Sequence, residues 1–117
     1  MRLYGEGKLI RIFLGEMDRK NNEQVYKTIV LKAKEFKMAG ATVSRGALGF
    51  GPDSTFSNSK SVKLSDDLPM IIEIVDTEAN IRKFVPIVEQ ILDDTGCGGM
   101  ITVENAEVIR YLRGKNA

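Results

Sequence analysis

The sequence of 117 residues contains no histidine and only one cysteine, Cys97. A Ser-His-Asp triad, a Cys-His dyad and a zinc site of the usual Cys/His type are therefore excluded. A disulfide within one chain is excluded as well, which fits a protein from a reducing compartment. The 17 basic and 16 acidic side chains leave a formal charge of +1, so no overall positive field attracts nucleic acid or an anionic membrane.

Long apolar runs are also missing. No run exceeds three residues, so the sequence predicts no segment that crosses or inserts into a membrane. Residues 1–7 lack the apolar stretch and small-residue cleavage site of a signal peptide. We therefore expect a cytoplasmic protein, and the length predicts a single domain over residues 1–117.

Four stretches have the composition of strands. Residues 8–14, 68–75 and 100–103 are short, rich in β-branched residues and next to glycine or proline. Residues 41–51 begin in the same way and then carry Gly46, Gly49 and Gly51. We expect a short additional edge segment over residues 106–112.

Two other stretches repeat apolar residues at the helical spacing of about 3.6 residues. Asn21 and Gln24 predict a capping box before the first helix, and Gly40 predicts the left-handed residue at its end. Asp76 or Thr77 is expected to cap the second helix. Pro86 falls on the polar face of that helix, where we expect a kink rather than a break. The apolar positions are Val25, Tyr26, Ile29, Val30, Ala33 and Phe36 in the first helix, and Ile81, Phe84, Val85, Val88, Ile91 and Leu92 in the second.

The order β-α-β-loop-β-α-β indicates a fold class. With right-handed crossovers it predicts an α+β, ferredoxin-like βαββαβ domain, with four antiparallel strands and both helices on one face of the sheet. Apolar residues lie on both sides of the first and third strands, so the second face should be covered too. An oligomer is the most economical way to cover it.

A long exposed loop is predicted over residues 52–67. The stretch 51–63 has four serines, one aromatic residue, Phe56, and no periodicity, so it offers little apolar surface to offset its ordering entropy. Long loops of this kind tend to be functional or disordered.

Several short motifs follow the order found in PII signalling proteins, and the resemblance covers nearly the whole chain. The motif Gly40-Ala41-Thr42-Val43 and the later Gly49-Phe50-Gly51 resemble their second strand. Residues 68–76, 95–101 and 108–110 resemble the strand before their second helix, their glycine-rich B-loop with the last core strand, and their basic C-terminal segment. The turn Gly15-Glu16-Met17-Asp18-Arg19 is more specifically similar to a family of uncharacterised PII-like proteins within the PII and CutA-like superfamily.

This resemblance implies a homotrimeric regulatory protein rather than an enzyme, with no catalytic residues and no metal. A small ligand, such as ATP, ADP or AMP, would bind in clefts between subunits, and no cofactor would be required. A T-loop-like segment, residues 52–67, would contact a partner such as a membrane transporter or an enzyme. The partner-loop residues implied are Ser54, Phe56, Ser57 and Ser59. A nucleic-acid partner is not expected, because the strands carry no basic stripe or aromatic platform.

The same resemblance implies a set of ligand-binding residues. Without the resemblance, each of these motifs can be interpreted either as part of a ligand site or as a purely structural feature. The glycine turn can present N–H groups to an anion, or it can end a helix and begin a strand. The second-strand glycines can let a ligand approach the backbone, or they can form a bulge. Arginines suit phosphate, but most surface arginines only contact water. The implied residues are Thr42, Gly49, Phe50, Gly51, Gly96, Gly98, Gly99, Arg110 and Arg113, with Arg110 the preferred arginine.

The sequence also departs from classical PII proteins. Pro52 and Asp53 stand where those proteins place a phosphate-contacting Arg and a metal-coordinating Gln, and the glycine turn lacks their Lys. A second hypothesis is therefore a trimeric interaction module that binds no ligand and acts on a transporter or an enzyme. A third is an enzyme or metal-binding protein whose carboxylates hold a hard cation. The candidate carboxylates are Glu16, Asp18, Asp66 and Asp67.

Overall fold

The computed structural model describes residues 5–50, 68–112 and 114. The elements are β1 (Gly5–Gly15), β2 (Arg19–Lys20), β3 (Glu23–Gln24), α1 (Val25–Glu35), β4 (Thr42–Arg45), β5 (Pro69–Asp76), α2 (Glu78–Thr95) and β6 (Met100–Val108). Four strands lie in one antiparallel sheet in the order β4-β5-β1-β6, and β2 and β3 form a separate small hairpin. This arrangement confirms the predicted α+β, ferredoxin-like topology.

The core lies between the two helices and one face of the sheet. Ile12 in β1 is paired with Ile72 in β5 and Ile101 in β6, so these three side chains point to the same face. The predicted helical apolar positions pack against that face. The buried cluster consists of Ile10, Ile12, Leu14, Val25, Ile29, Ala33, Ile72, Ile74, Ile81, Phe84 and Val88.

The other side of the sheet, called the open face below, is covered by neither helix. Alternate residues of β1 and β5 point to this side, and from Leu9 onwards in β1 and throughout β5 none of them is fully buried. Their side chains are half-buried and mostly apolar, as predicted for a face that an oligomer would cover. They are Leu9, Arg11 and Phe13 in β1, and Ile71, Glu73 and Val75 in β5.

The start of α1 differs from the predicted capping box. Asn21 and Asn22 have positive φ angles of 53° and 67° and form the turn between β2 and β3. Gln24 occupies the N-cap position, but its side chain makes no capping hydrogen bond to the first turn of the helix. The N–H of Val25 instead donates to the carbonyl of Asp18 at 2.9 Å. The capping-box prediction is wrong because a tight hairpin, rather than a single cap residue, leads into the helix.

The end of α1 also differs. The helix stops at Glu35, and Lys37, rather than Gly40, takes the left-handed conformation with φ 55°. The N–H of Met38 then closes the turn by donating to the carbonyl of Ala33 at 3.0 Å. Gly40 lies beyond this turn and has no atom within 4 Å of an added Cβ.

The later elements agree with the sequence except at one point. The Thr77 hydroxyl accepts from the N–H of Asn80 at 3.2 Å, which confirms the predicted cap of α2. The helix continues through Pro86 without a break. The separate edge segment predicted over residues 106–112 is wrong, because β6 continues to Val108 and pairs with β1 along its whole length.

Candidate functional site

A groove of about 730 Å³ opens at one end of the open face, where β1 begins and β5 ends. Its floor is formed by Leu9, Glu73 and Val75. One wall is the segment 39–42, which connects α1 to β4. The other wall is the segment 106–111, which consists of the last residues of β6 and the residues that follow this strand. This cavity is called the groove below.

The groove brings together two of the predicted ligand-binding residues, Thr42 and Arg110. Thr42 is the first residue of β4 and lies directly opposite Glu73 in the register of the sheet. Arg110 follows the end of β6 at the opposite edge of the same sheet. The segment after β6 therefore returns across the end of the sheet, and the walls come from residues far apart in sequence.

A hydrogen bond joins the two walls. The Tyr111 hydroxyl donates to the carbonyl of Ala39 at 2.7 Å. The N–H of Ala39 donates to Oδ2 of Asp76 at 2.8 Å, and Asp76 is fully buried. A buried side chain thus supports one wall of the groove, and that wall supports the other.

Beside the groove, charged side chains form a network on the open face. Arg11 Nε lies 3.0 Å from Glu73 Oε2, and the Arg11 guanidinium also pairs with Glu104. The hydrogen bond to Glu73 is the main cause that raises the pKa of Arg11, and burial opposes it only in part. Arg11 therefore stays charged at physiological pH, and Glu73 faces both Arg11 and the groove.

The glycines after β4 lie at the other end of the sheet. The N–H of Gly46 donates to the carbonyl of Pro69 at 2.7 Å. A Cβ at Gly46 would lie 2.6 Å from Pro69 Cγ, and one at Gly49 would lie 3.2 Å from the same atom. Close backbone packing against Pro69 explains both glycines, in agreement with a strand that leaves the sheet. Phe50 follows them with an exposed side chain.

The turn between α2 and β6 also needs glycine for backbone reasons. Gly96 caps α2 in the left-handed conformation, with φ 69° and its N–H donating to the carbonyl of Asp93 at 3.2 Å. A Cβ at Gly99 would lie 2.9 Å from the carbonyl oxygen of Phe13. Gly98 lies in the same turn. The interpretation as a helix cap and strand entry accounts for these contacts.

One chain does not bring the glycine turn and Arg110 to the same place. The strand β6 separates them with nine residues. At about 3.3 Å per residue, the two ends of this strand are roughly 25–30 Å apart. A single small ligand can contact both only if they come from different copies of the chain. Their joint role in ligand binding stays a prediction.

Other predicted residues stand apart from the groove or outside the described part of the chain. Gly51, Arg113 and the loop 52–67, with Ser54, Phe56, Ser57 and Ser59, lie outside the described residues. The Glu16 carboxylate pairs with Arg45 Nε at 3.4 Å, and Asp18 Oδ2 accepts from the N–H of Gly15 at 2.9 Å. Within residues 5–50, 68–112 and 114, no group of three or more His, Cys, Asp or Glu side chains can hold a metal ion.

The sequence interpretation missed Glu73 and Tyr111. A signal for Glu73 was present, because Arg11 is the one charged residue within residues 9–14 and Glu73 is the one charged residue within residues 68–75. Opposite charges in neighbouring buried strands are expected to pair across the sheet. No comparable signal exists for Tyr111, because its partner Ala39 lies 72 residues away in sequence.

Over the described residues, no helix is long and apolar enough to cross a membrane.

Comparison with known proteins gives matches at the level of both sequence and fold. The DUF190 family model, described as "Uncharacterized ACR, COG1993", matches residues 7–108. A UPF0166 protein of Aquifex aeolicus is 36% identical over 102 residues, covering 87% of this chain and 92% of that protein. A UPF0166 protein of Methanocaldococcus jannaschii is 34% identical over 91 residues, covering 78% and 83%.

Two solved structures share the fold at low sequence identity. A putative PII-like signaling protein from Thermus thermophilus has a TM-score of 0.64 at 16% identity, covering 92% of this chain and 97% of that one. CPII from Thiomonas intermedia, bound to ADP and bicarbonate, has a TM-score of 0.62 at 16% identity, covering 90% of each chain. At this identity the likeness shows a PII-like fold.

Proposed function

The chain belongs to the DUF190 family of uncharacterised proteins and has a PII-like fold, and we propose that it is a PII-like regulatory protein rather than an enzyme. The observation that carries this proposal is the groove, because it places Thr42 and Arg110 around one cavity of ligand size. The ADP bound to CPII, a protein of the same fold, supports a nucleotide as the ligand.

The chemistry of part of the groove supports the proposed ligand class. The Arg110 guanidinium suits a phosphate, which it can contact through two parallel N–H groups. The aliphatic side chains of Leu9, Val75 and Val108 offer an apolar surface for a base. An adenine nucleotide, ATP, ADP or AMP, fits this combination, and the protein requires no other cofactor.

The site is completed by assembly into a homotrimer. The half-buried apolar side chains of the open face support this assembly, because an exposed apolar face of this kind is typical of an interface. In such a trimer, the glycine turn of one subunit and Arg110 of another can line the same cleft. The ligand then lies between subunits and not within one chain.

The loop 52–67 carries the signal to a partner, which we propose to be a membrane transporter or an enzyme of the cytoplasm. The ligand acts by population shift, so it changes the loop only as far as it binds one loop state better than the other. Ser54, Phe56, Ser57 and Ser59 supply the contacts to the partner.

Calorimetric titration with ATP, ADP, AMP and cyclic AMP tests the ligand, and sedimentation tests the assembly. We expect at least one nucleotide to bind at one site per subunit, on a particle of three 13.0 kDa copies. If none of the four nucleotides binds, the result contradicts the proposal that the ligand is a nucleotide. A 13.0 kDa particle at micromolar concentration would show that the chain is a monomer, which has no clefts between subunits, and would contradict the proposed assembly.

A second candidate function is a trimeric interaction module that binds no ligand. The structural roles of Gly49, Gly96 and Gly99 favour it, because each of these glycines already has a backbone or packing reason that requires no phosphate. A partner captured equally well with and without nucleotide would support this alternative. A partner whose capture depends on nucleotide would support the first.

A further inference from the structure

Residues 109–112 extend beyond β6 without regular secondary structure. The side chains of Ile109 and Leu112 are 80% and 69% exposed, so apolar packing holds this segment only weakly. The hydroxyl of Tyr111 reaches the opposite wall of the groove, where it donates to the Ala39 carbonyl at 2.7 Å. A segment with so little packing depends strongly on such a hydrogen bond for its position.

The acceptor of this hydrogen bond is itself held in place. The N–H of Ala39 donates to Oδ2 of Asp76, and Asp76 Oδ1 accepts from the N–H of Thr77 at 2.7 Å and from Nδ2 of Asn80 at 2.9 Å. Asp76 is fully buried, so its carboxylate ties the Ala39 peptide to the start of α2. Tyr111 therefore bonds to a fixed point of the fold and not to a mobile connection.

We propose that Tyr111 is a positioning residue, which latches residues 109–112 across the end of the sheet and holds Arg110 at the groove opposite Thr42. This inference rests on the proposed function, since it concerns the same site. When the hydrogen bond opens, residues 109–111 separate from the wall formed by residues 39–42, and Arg110 leaves the ligand.

The test uses Tyr111→Phe, which removes only the hydroxyl, in the full-length chain. The matched control is Tyr26→Phe, because the Tyr26 hydroxyl makes a longer hydrogen bond of 3.4 Å to Gln24 Oε1 and does not line the groove. Hydrogen exchange of the C-terminal peptide, followed by mass spectrometry, reports the latch without any ligand. Calorimetry with ADP reports the position of Arg110.

We expect Tyr111→Phe to exchange the C-terminal peptide about fivefold faster and to weaken ADP binding about fivefold, the factor typical of one neutral hydrogen bond. Tyr26→Phe should change neither value, and the melting temperatures of both variants should stay near that of the parent. Unchanged exchange in Tyr111→Phe would overturn the latch. Faster exchange with unchanged ADP affinity would overturn the positioning role.

Failure of the proposed function gives a different pattern. If the parent protein binds none of the nucleotides, the proposed ligand is wrong for both variants and the parent alike. The latch is then decided by the exchange rates alone: faster exchange in Tyr111→Phe supports it, and equal rates contradict it.

Discussion

Arg11 Nε lies 3.0 Å from the Glu73 carboxylate across the pair of strands at the centre of the sheet. Apolar side chains, including Phe13 and Val75, surround this pair on the open face. A charge that another subunit covers must keep its partner, because an unpaired buried charge is strongly destabilising. Arg11 has two carboxylates within reach, from Glu73 and Glu104, so burial of the open face in the proposed interface would not leave this charge unpaired.

Reversing the charge at this position should weaken the proposed assembly. In Arg11→Glu three carboxylates meet on the open face, and we expect the association constant of the proposed trimer to fall at least tenfold, because like charges in an interface repel. Analytical sedimentation at a series of protein concentrations measures this association constant. The double variant Arg11→Glu with Glu73→Arg should restore most of the association.

The matched control for this charge reversal is Arg45→Glu. It breaks a comparable ion pair, to Glu16 at 3.4 Å, and Arg45 lies opposite Met70 on the helix side of the sheet. The control should sediment like the parent. If Arg45→Glu and Arg11→Glu dissociate the particle equally, the open face is not the interface.

The left-handed cap at Gly96 should make a measurable contribution to stability. A side chain in this conformation costs about 1–2 kcal/mol, so we expect Gly96→Ala to lower the free energy of unfolding by about 1 kcal/mol. Gly96→Asn should cost less, since asparagine tolerates the left-handed region. Gly40→Ala is the control, because an added Cβ there meets no atom within 4 Å and its φ is not positive.

Urea denaturation of the three variants gives these values. A Gly96→Ala protein of unchanged stability that no longer binds ADP would show that the turn contacts the ligand. That result would favour the anion-binding interpretation of the glycine turn over the helix cap.

The main elements could be predicted from the sequence because burial selects their composition and spacing. The short, mostly apolar run over residues 8–14, with its β-branched and aromatic residues, identifies β1, and the helical spacing of Ile81, Phe84 and Val88 identifies α2. Both patterns depend on which residues are buried. They are therefore visible within a short window of sequence.

The ends of α1 could not be predicted in the same way. A backbone carbonyl of Asp18 replaces the expected side-chain cap, and Lys37 takes the left-handed position that glycine usually fills. Backbone donors and acceptors are nearly the same for every residue type, so the sequence does not show which of them will meet. Tertiary packing here outweighed the local preference for Asn21 and Gly40.

The candidate site was predicted only in part for a related reason. Thr42 and Arg110 came from a family resemblance, and the structure adds that they share one groove. The contact between Tyr111 and Ala39 joins two segments that carry no common pattern. The charges of Arg11 and Glu73 are visible in the sequence, but that they stand directly opposite each other depends on the register of β1 and β5.

Arg110 should contribute to nucleotide binding, whereas an exposed arginine away from the groove should not. Hydrogen bonds to a charged group contribute about 1.5–3 kcal/mol, so we expect Arg110→Ala to weaken ADP binding by at least tenfold. Arg82→Ala is the control, because Arg82 forms an exposed pair with Glu78 at 3.9 Å on α2, away from the groove. Calorimetry measures the ADP affinity of both variants. Equal affinities would show that Arg110 does not contribute to ADP binding.

The buried carboxylate of Asp76 should be a larger source of stability than the cap beside it. Asp76→Ala leaves the N–H of Ala39 and the amide of Asn80 without their acceptor inside the protein, so we expect a loss of about 2–3 kcal/mol. Thr77→Ala removes only the helix cap and should cost about 1 kcal/mol. Chemical denaturation of the two variants compares these costs directly. Equal losses would mean that Asp76 only helps to begin α2, and that the Ala39 wall of the groove is held by other contacts.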